Sequence, residues 1–99
     1  MSKNLYISSL LDIYGRFLSE KQKTLTEYYY NDDLSLSEIA ENEGITRQGV
    51  SDNIKRAEQK LISWEKECGY CQKFLKLKEL SEEGDSKALS EMREIIENL

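Results

Sequence analysis

The sequence predicts an all-α protein. The chain of 99 residues contains no proline, and its apolar residues recur at spacings of three and four, whereas strand-like alternation of apolar and polar residues is not evident. Several segments also begin with a capping residue and end at glycine, which are the signals that start and stop helices. A chain of this length fits one domain with a modest core.

The first 18 residues predict one helix. It runs from about Asn4 to Phe17, and its apolar residues follow one face up to Phe17. Gly15 lies inside this helix and weakens the prediction, because glycine costs about 1 kcal/mol relative to alanine in a helix interior.

Ser19 and Gln22 form a Ser-x-x-Gln capping box, so a second helix is expected from Glu20 to about Tyr30. Three tyrosines, at positions 28–30, end this helix. Tyrosines can stack on nucleic-acid bases, but three successive helical positions cannot share one face. We therefore expect them to cover an edge of the core.

Residues 35–61 show the pattern of a helix-turn-helix. Ser35 and Glu38 form a capping box, Gly44 supplies a helix stop, and Thr46 can cap the next helix. The positions of this second helix predicted to be buried are Val50, Ile54, Ala57 and Leu61. Two helices joined by a short glycine-containing turn are the geometry that places a recognition helix in the major groove.

A plain helical bundle would need the same caps and apolar stripes, so these features alone do not indicate DNA binding. The outward face of the second helix does favour DNA binding. Its polar side chains are of the types that contact bases and phosphates. They are Arg47, Gln48, Ser51, Asn53, Lys55 and Arg56.

The net charge of −5 opposes strong DNA binding, because neutralisation of phosphates carries most of the affinity of such proteins. Residues 46–60 hold four basic and two acidic residues, a net charge of +2, whereas residues 31–45 hold five acidic residues and no basic one. We expect weak DNA affinity per subunit. An alternative is that this segment binds a basic protein partner, through a surface formed by Glu38, Glu41 and Glu43.

An apolar seam with heptad spacing continues beyond the helix-turn-helix. Its members are Val50, Ile54, Ala57, Leu61, Trp64, Cys68, Cys71 and Leu75. Such a seam packs against another helix in the same chain or in a second copy. We expect a homodimer. The candidates for a dimer or packing seam are Leu61, Trp64, Cys68, Cys71 and Leu75. Gly69 predicts a break. We therefore divide the chain into a helix-turn-helix domain, residues 1–67, and a helical extension, residues 68–99.

A last helix is expected after the turn at residues 82–85, capped by Asp85 or Ser86. The apolar residues predicted to line one of its faces are Leu89, Met92, Ile95, Ile96 and Leu99.

Cys68 and Cys71 form a CxxC pair that has three interpretations. A structural zinc site needs four ligands, and the chain has no histidine and no second cysteine pair, although two copies could pool four thiolates. A thioredoxin-like redox pair needs a βαβ setting, which the sequence does not predict. Because both residues lie on the apolar seam, burial as small apolar side chains is favoured.

Catalysis has little support in the sequence. The chain has no histidine, no glycine-rich phosphate loop and no cluster of metal ligands, so we expect neither an enzyme nor a cofactor. The sequence also has no apolar run long enough to cross a bilayer and no signal-peptide cleavage motif. The expected location is the cytoplasm.

Two families resemble this sequence. The run LSEKQKTLTEYYYNDDLSLSEIAENEGITRQGVSDNIKRAEQKL resembles region 4 of bacterial sigma factors, which binds the promoter −35 element. More closely, residues 5–78 resemble the YlxM family of small helix-turn-helix proteins of Gram-positive bacteria and mollicutes. The strings LSEKQ, SLSEIAE and ITRQGVSDNIKRAE carry this resemblance. It implies a sigma region 4-like bundle with a long recognition helix and a terminal helix.

The resemblance also implies a DNA-binding surface. The matching residues are Thr46, Arg47, Gln48, Ser51, Asn53, Lys55, Arg56 and Lys60. On this view Gln48 and Asn53 contact an adenine edge, and Arg47 contacts a guanine or a phosphate. The other basic residues of the set contact phosphates. Gly49, where alanine is usual, and Asp52, whose carboxylate would repel phosphate, depart from the pattern.

Three functions follow from these observations. The first is a dimeric regulator of transcription that binds double-stranded DNA. The second is a protein- or RNA-binding adaptor of the signal recognition particle GTPase, because the YlxM family is encoded beside that GTPase. The third is a sigma-like module that occupies RNA polymerase or antagonises sigma.

Overall fold

A computed structural model describes residues 4–99 of the chain, and these residues fold into six α-helices and one short 3₁₀ turn. The predicted all-α class is confirmed. The helices are α1 (Leu5–Tyr14), α2 (Glu20–Tyr30), α3 (Leu36–Glu43), α4 (Arg47–Cys68), α5 (Tyr70–Glu83) and α6 (Ser86–Glu97), and the 3₁₀ turn is Gly15–Phe17. The chain divides into two units, Met1–Glu67 and Cys68–Leu99.

Helix α1 ends three residues before the predicted boundary. The chain tightens into the 3₁₀ turn at Gly15, where an added Cβ would lie 3.3 Å from the Leu11 side chain. Because a 3₁₀ turn has about three residues per turn rather than 3.6, it rotates Phe17 off the apolar stripe. Phe17 is 65% exposed, so its predicted burial is wrong.

Helix α2 begins as predicted, but its capping box is only half formed. The Ser19 Oγ accepts a hydrogen bond from the Gln22 backbone N–H. The Gln22 side chain does not return to Ser19; its Oε1 accepts a hydrogen bond from the Lys60 Nζ at 3.0 Å. A bond from a charged donor is stronger than one between neutral groups, which accounts for this exchange of partner.

The core of the first unit includes one cluster built from α2, α3 and α4. Its buried members are Leu25, Ile39, Ala40, Val50 and Ile54. The three tyrosines at positions 28–30 are half-buried and pack against this cluster, together with Leu34, Leu36 and Ile45. The prediction that these tyrosines cover an edge of the core is confirmed.

The predicted seam is interrupted at Gly69. This residue has a φ of +67°, which glycine adopts at no steric cost, so α4 ends at Cys68 and α5 begins at Tyr70. The helical register of α4 therefore does not continue into α5. Cys71 is buried but Cys68 and Leu75 are exposed, so the predicted burial of both cysteines is wrong for Cys68.

The second unit is a helical hairpin in which α5 packs against α6. The Asp85 carboxylate caps α6 by accepting a hydrogen bond from the Ala88 N–H at 2.7 Å. Leu80 and Ala88 are buried in the hairpin. Of the predicted apolar face of the last helix, Leu89, Ile96 and Leu99 are exposed, and Ile95 lines a groove with residues of α5.

None of the helices found between residues 4 and 99 is long and apolar enough to cross a lipid bilayer.

Replacement of Leu25 by alanine should lower the free energy of unfolding by about 2–5 kcal/mol, because it opens a cavity in the core cluster at a fully buried side chain. Leu5→Ala is the matched control, since Leu5 is 77% exposed and its loss should cost less than about 0.5 kcal/mol. Urea unfolding followed by circular dichroism measures both. Equal losses in the two variants would contradict the assignment of this core.

Candidate nucleic-acid interface

Helices α3 and α4 form the predicted helix-turn-helix. The Ser35 Oγ accepts a hydrogen bond from the Glu38 N–H at 3.1 Å, and the Glu38 carboxylate accepts one from the Ser35 N–H at 3.0 Å. The helix ends at Gly44, which has a φ of +66° in the left-handed region. The ten residues from Ser35 to Gly44 therefore define both ends of α3, as the capping box and the glycine stop predict.

Thr46 caps the start of α4. Its Oγ1 accepts a hydrogen bond from the Gly49 N–H at 3.0 Å. A Cβ added to Gly49 would lie 3.1 Å from this same oxygen, which is closer than ordinary van der Waals contact. Glycine at this position therefore leaves room for the cap, and the Thr46 hydroxyl is already engaged in it.

The inward face of α4 determines which side chains face solvent. Val50, Ile54 and Ala57 are buried, and the first two belong to the core cluster. Their spacing of four and three keeps one side of the helix on the protein. The opposite side is consequently presented to solvent.

Six of the eight predicted DNA-binding residues are exposed. They are Thr46, Arg47, Gln48, Lys55, Arg56 and Lys60. Ser51 is half-exposed and lines a shallow concavity of about 250 Å³ with Leu36, Arg47 and Gln48. Guanidinium, ammonium, amide and hydroxyl groups are thus displayed along the first three turns of α4.

Asn53 and Lys60 lie on the flank of α4 and already bond to the protein. The Asn53 Nδ2 donates to the Gly49 carbonyl at 2.8 Å, and the Lys60 Nζ donates to the Gln22 side chain. These two side chains are therefore engaged with the protein itself. Their side-chain partners could not be deduced from helical periodicity.

Two further residues share the outward face. The Asp52 carboxylate accepts a hydrogen bond from the Gln48 Nε2 at 2.9 Å, so the amide proposed to contact a base is held by an acidic neighbour. Gln59 is exposed and lies eleven residues after Gln48, a spacing that returns to the same side of a helix. This spacing was visible in the sequence, although Gln59 was not among the predicted residues.

Polar contacts link α4 to the two helices that precede the helix-turn-helix. The buried Tyr14 hydroxyl donates to the Glu65 carboxylate at 2.7 Å. The Tyr30 hydroxyl donates to the Glu58 carboxylate. With the bond between Lys60 and Gln22, these contacts occur along the middle and end of α4 and restrain its rotation.

The Tyr30 contact raises the pKa of the phenol. Burial disfavours the phenolate, and the hydrogen bond to Glu58 and the negative charge of that carboxylate raise the pKa further above its ordinary value. Tyr30 therefore stays protonated, and able to donate, to higher pH than a tyrosine in the unfolded chain.

The acidic candidate residues differ in their availability. Glu41 and Glu43 are exposed on α3. The Glu38 carboxylate instead belongs to the capping box. Among residues 4–99, moreover, no group of three or more potential metal-ligating side chains could hold a metal ion.

Comparison with known proteins places this geometry in a family. Residues 1–99 match the model of a family, UPF0122, described as "Putative helix-turn-helix protein, YlxM / p13 like". The predicted family resemblance is confirmed. The description names a helix-turn-helix and no catalytic activity.

Individual relatives come from several bacteria. The chain is 50% identical over 68 residues to a UPF0122 protein of Desulforamulus reducens, covering 69% of this chain and 58% of that protein. It is 49% identical over 65 residues to one of Clostridium kluyveri, covering 66% and 59%. The chain thus matches just under three fifths of the length of these two relatives. A UPF0122 protein of Fusobacterium nucleatum is 42% identical over 94 residues, covering 94% of this chain and 91% of that protein.

Tyr30→Phe should lower the free energy of unfolding by about 0.5–1.5 kcal/mol at neutral pH, because it removes the hydrogen bond to Glu58. The unfolded tyrosine ionises near pH 10 and the folded one at higher pH. The stability from this bond is therefore complete below about pH 10 and is lost as the pH rises further. The difference in the free energy of unfolding between the wild-type protein and the variant, measured by urea unfolding, should therefore become smaller above pH 10.

Tyr6→Phe serves as the control for loss of a tyrosine hydroxyl, since Tyr6 is an exposed residue of α1. A Tyr30→Phe variant as stable as wild type at neutral pH would contradict a structural role for this contact.

Proposed function

The chain belongs to this YlxM / p13-like helix-turn-helix family, and we propose that it binds double-stranded DNA through the N-terminal half of α4 and regulates transcription. In this proposal the first three turns of α4 enter the major groove, whose width admits an α-helix. The proposed location is the cytoplasm, where bacterial DNA is found.

One observation carries the proposal. The residues of α4 that face solvent are enriched in basic and amide side chains, while the apolar residues of the same turns are fully used in the core. In the first three turns of α4 the exposed basic residues are Arg47, Lys55 and Arg56. A helix kept only as a scaffold needs the buried face and does not need this outward composition.

The proposed roles follow from position along α4. Arg47 and Gln48, in the first turn, are proposed to contact base edges, as the N-terminal residues of recognition helices do. Lys55 and Arg56 lie two turns later and are proposed to contact phosphates that set the register. Thr46 and Ser51 are proposed as phosphate or base contacts of the same surface. Asn53 and Lys60 are proposed to act indirectly, by holding the helix.

The charge distribution supports weak binding per subunit. Asp52 lies at the centre of the outward face, and α3 adds the exposed carboxylates of Glu41 and Glu43. Each carboxylate near the groove repels phosphate and offsets part of the attraction from the basic residues. We therefore propose that the protein binds paired half-sites as a dimer, so that two weak contacts act together.

A second candidate function is favoured by the same acidic residues. Asp32, Glu41 and Glu43 are exposed beside the helix-turn-helix and could attract a basic protein or RNA-protein surface. The alternative proposal is an adaptor of the signal recognition particle GTPase, with no sequence-specific DNA binding.

Fluorescence anisotropy with a random DNA duplex tests the first proposal. The logarithm of the binding constant should fall with the logarithm of salt concentration, with a slope of about 0.9 per phosphate contacted. Lys55→Ala with Arg56→Ala should lower the slope by about two per subunit, or about four for the proposed dimer, and should weaken binding at least tenfold at low salt. Lys78→Ala with Lys87→Ala, two exposed residues of the second unit, is the control with the same change in charge.

Absence of binding by the wild-type protein at low salt would overturn the DNA proposal. Equal losses in the two double variants would mean that overall charge, and not the α4 surface, controls binding.

The adaptor proposal is tested by Glu41→Lys with Glu43→Lys. Glu38 is left unchanged because its replacement would also remove the capping box. If these carboxylates bind the purified GTPase, the double variant should lose at least tenfold in affinity for it while its binding to DNA is unchanged or stronger. An unchanged affinity for the GTPase would contradict the assignment.

A further inference from the structure

The hairpin of α5 and α6 carries two unlike flanks. One flank is a groove of about 500 Å³, lined by Gln72, Lys73, Leu75, Lys76, Glu79 and Ile95. A neighbouring concavity adds Glu91, Glu94 and Asn98. Charged and amide groups therefore lie along this side of the hairpin, together with the apolar side chains of Leu75 and Ile95.

The opposite flank is apolar. Helical spacing places Tyr70, Phe74 and Leu77 on the side of α5 that faces away from the groove, and it does the same for Leu89, Met92 and Ile96 of α6. Leu99 lies just after α6, and its N–H bonds to the Ile96 carbonyl at 3.3 Å. We call these seven residues the apolar flank.

The apolar flank is extensively exposed. Leu89, Ile96 and Leu99 are 60%, 55% and 48% exposed, and Tyr70 and Phe74 are 39% and 43% exposed. Tyr70 and Phe74 contact one another with ring centroids 6.3 Å apart, so they form a continuous aromatic end to the flank. None of the seven residues carries a formal charge.

The apolar positions of α6 and of the turn that follows it have a self-complementary spacing. Residues 89, 92, 96 and 99 are separated by three, four and three positions, a sequence of intervals that is the same in both directions. An antiparallel copy of α6 and this turn would place position 92 opposite position 96 and position 89 opposite position 99. A two-fold dimer requires one patch to complement itself in this way.

If it were buried completely, the exposed area of the apolar flank would reach the lower limit for a dimer interface. At roughly 200 Å² for a large apolar side chain, five side chains that are about half exposed present on the order of 500 Å² per copy. Two copies together would bury about 1,000 Å², the lower limit for a specific interface. The flank adds no like charges, so the net charge of −5 is not concentrated at the contact.

We propose that the apolar flank of the α5–α6 hairpin is the homodimer interface of this protein, with the two α6 helices antiparallel across the two-fold axis. This interface differs from the seam predicted from heptad spacing, because Leu61 and Cys71 of that seam are fully buried within one copy. The inference concerns assembly and does not require DNA binding.

Sedimentation equilibrium of the full chain without DNA tests the proposal. The wild-type protein should be a dimer at tens of micromolar, and Leu89→Glu with Ile96→Glu should raise the dimer dissociation constant at least tenfold. Both residues are exposed, so the variant should keep its circular dichroism spectrum. The control is Leu75→Glu, a change at an exposed residue lining the groove, which should leave the dissociation constant unchanged.

The proposed register has its own test. Leu89→Lys alone and Leu99→Glu alone should each weaken self-association. In a homodimer of either variant, positions 89 and 99 face each other twice, and each time the new charge lies against the remaining leucine. An equimolar mixture of the two variants should form a heterodimer. In it, the new lysine at position 89 of one copy faces the new glutamate at position 99 of the other, and the second pair of positions keeps its two leucines. Formation of that heterodimer supports the antiparallel register.

Three outcomes would overturn the proposal. They are a wild-type monomer at tens of micromolar, a Leu89→Glu with Ile96→Glu variant that still dimerises normally, and a Leu75→Glu variant that is equally impaired. Failure of the mixed variants to associate would overturn the register of the two α6 helices.

Discussion

Burial of one face of α4 is the constraint on which the candidate interface depends. Val50, Ile54 and Ala57 lie at successive positions of that face, so the helix cannot rotate without moving apolar side chains from the core into water. Such exposure costs on the order of 1.5–3 kcal/mol for each large side chain. Three buried positions therefore decide which polar residues face outward. The solvent-facing chemistry of this helix is a consequence of its core.

The polar contacts made by Tyr14, Tyr30 and Gln22 act on the same helix in a different way. Apolar packing determines the rotation of α4 but tolerates small sliding, because it is not directional. Hydrogen bonds to Glu65, Glu58 and Lys60 have narrow geometric limits and add that directional restraint. Helices α1 and α2 thus position the helix-turn-helix although they belong to neither of its two helices.

The parts of the fold that could be predicted from the sequence depend on short-range chemistry. The capping box of Ser35 and the stops at Gly44 and Gly69 are set by residues a few positions apart, and each occurs as expected. The failures involve long-range or cumulative geometry. The Gln22 side chain accepts from Lys60, 38 positions away, instead of completing its cap, and the 3₁₀ turn at Gly15 moves Phe17 off the apolar stripe. Which candidate side chains remain exposed could therefore not be predicted from periodicity alone.

The hydrogen bond between Gln48 and Asp52 has a consequence for competition within a genome. A chromosome offers an excess of random sites that attract basic proteins through phosphates alone. A carboxylate at the centre of the outward face lowers the affinity for every such site by a similar factor. At a matching site, the Gln48 amide would bond to a base edge instead of to Asp52. That new hydrogen bond would recover part of the affinity that the carboxylate removes. Under the proposed function, most copies would be unbound until they meet a matching site, and the search would not be slowed by long residence elsewhere.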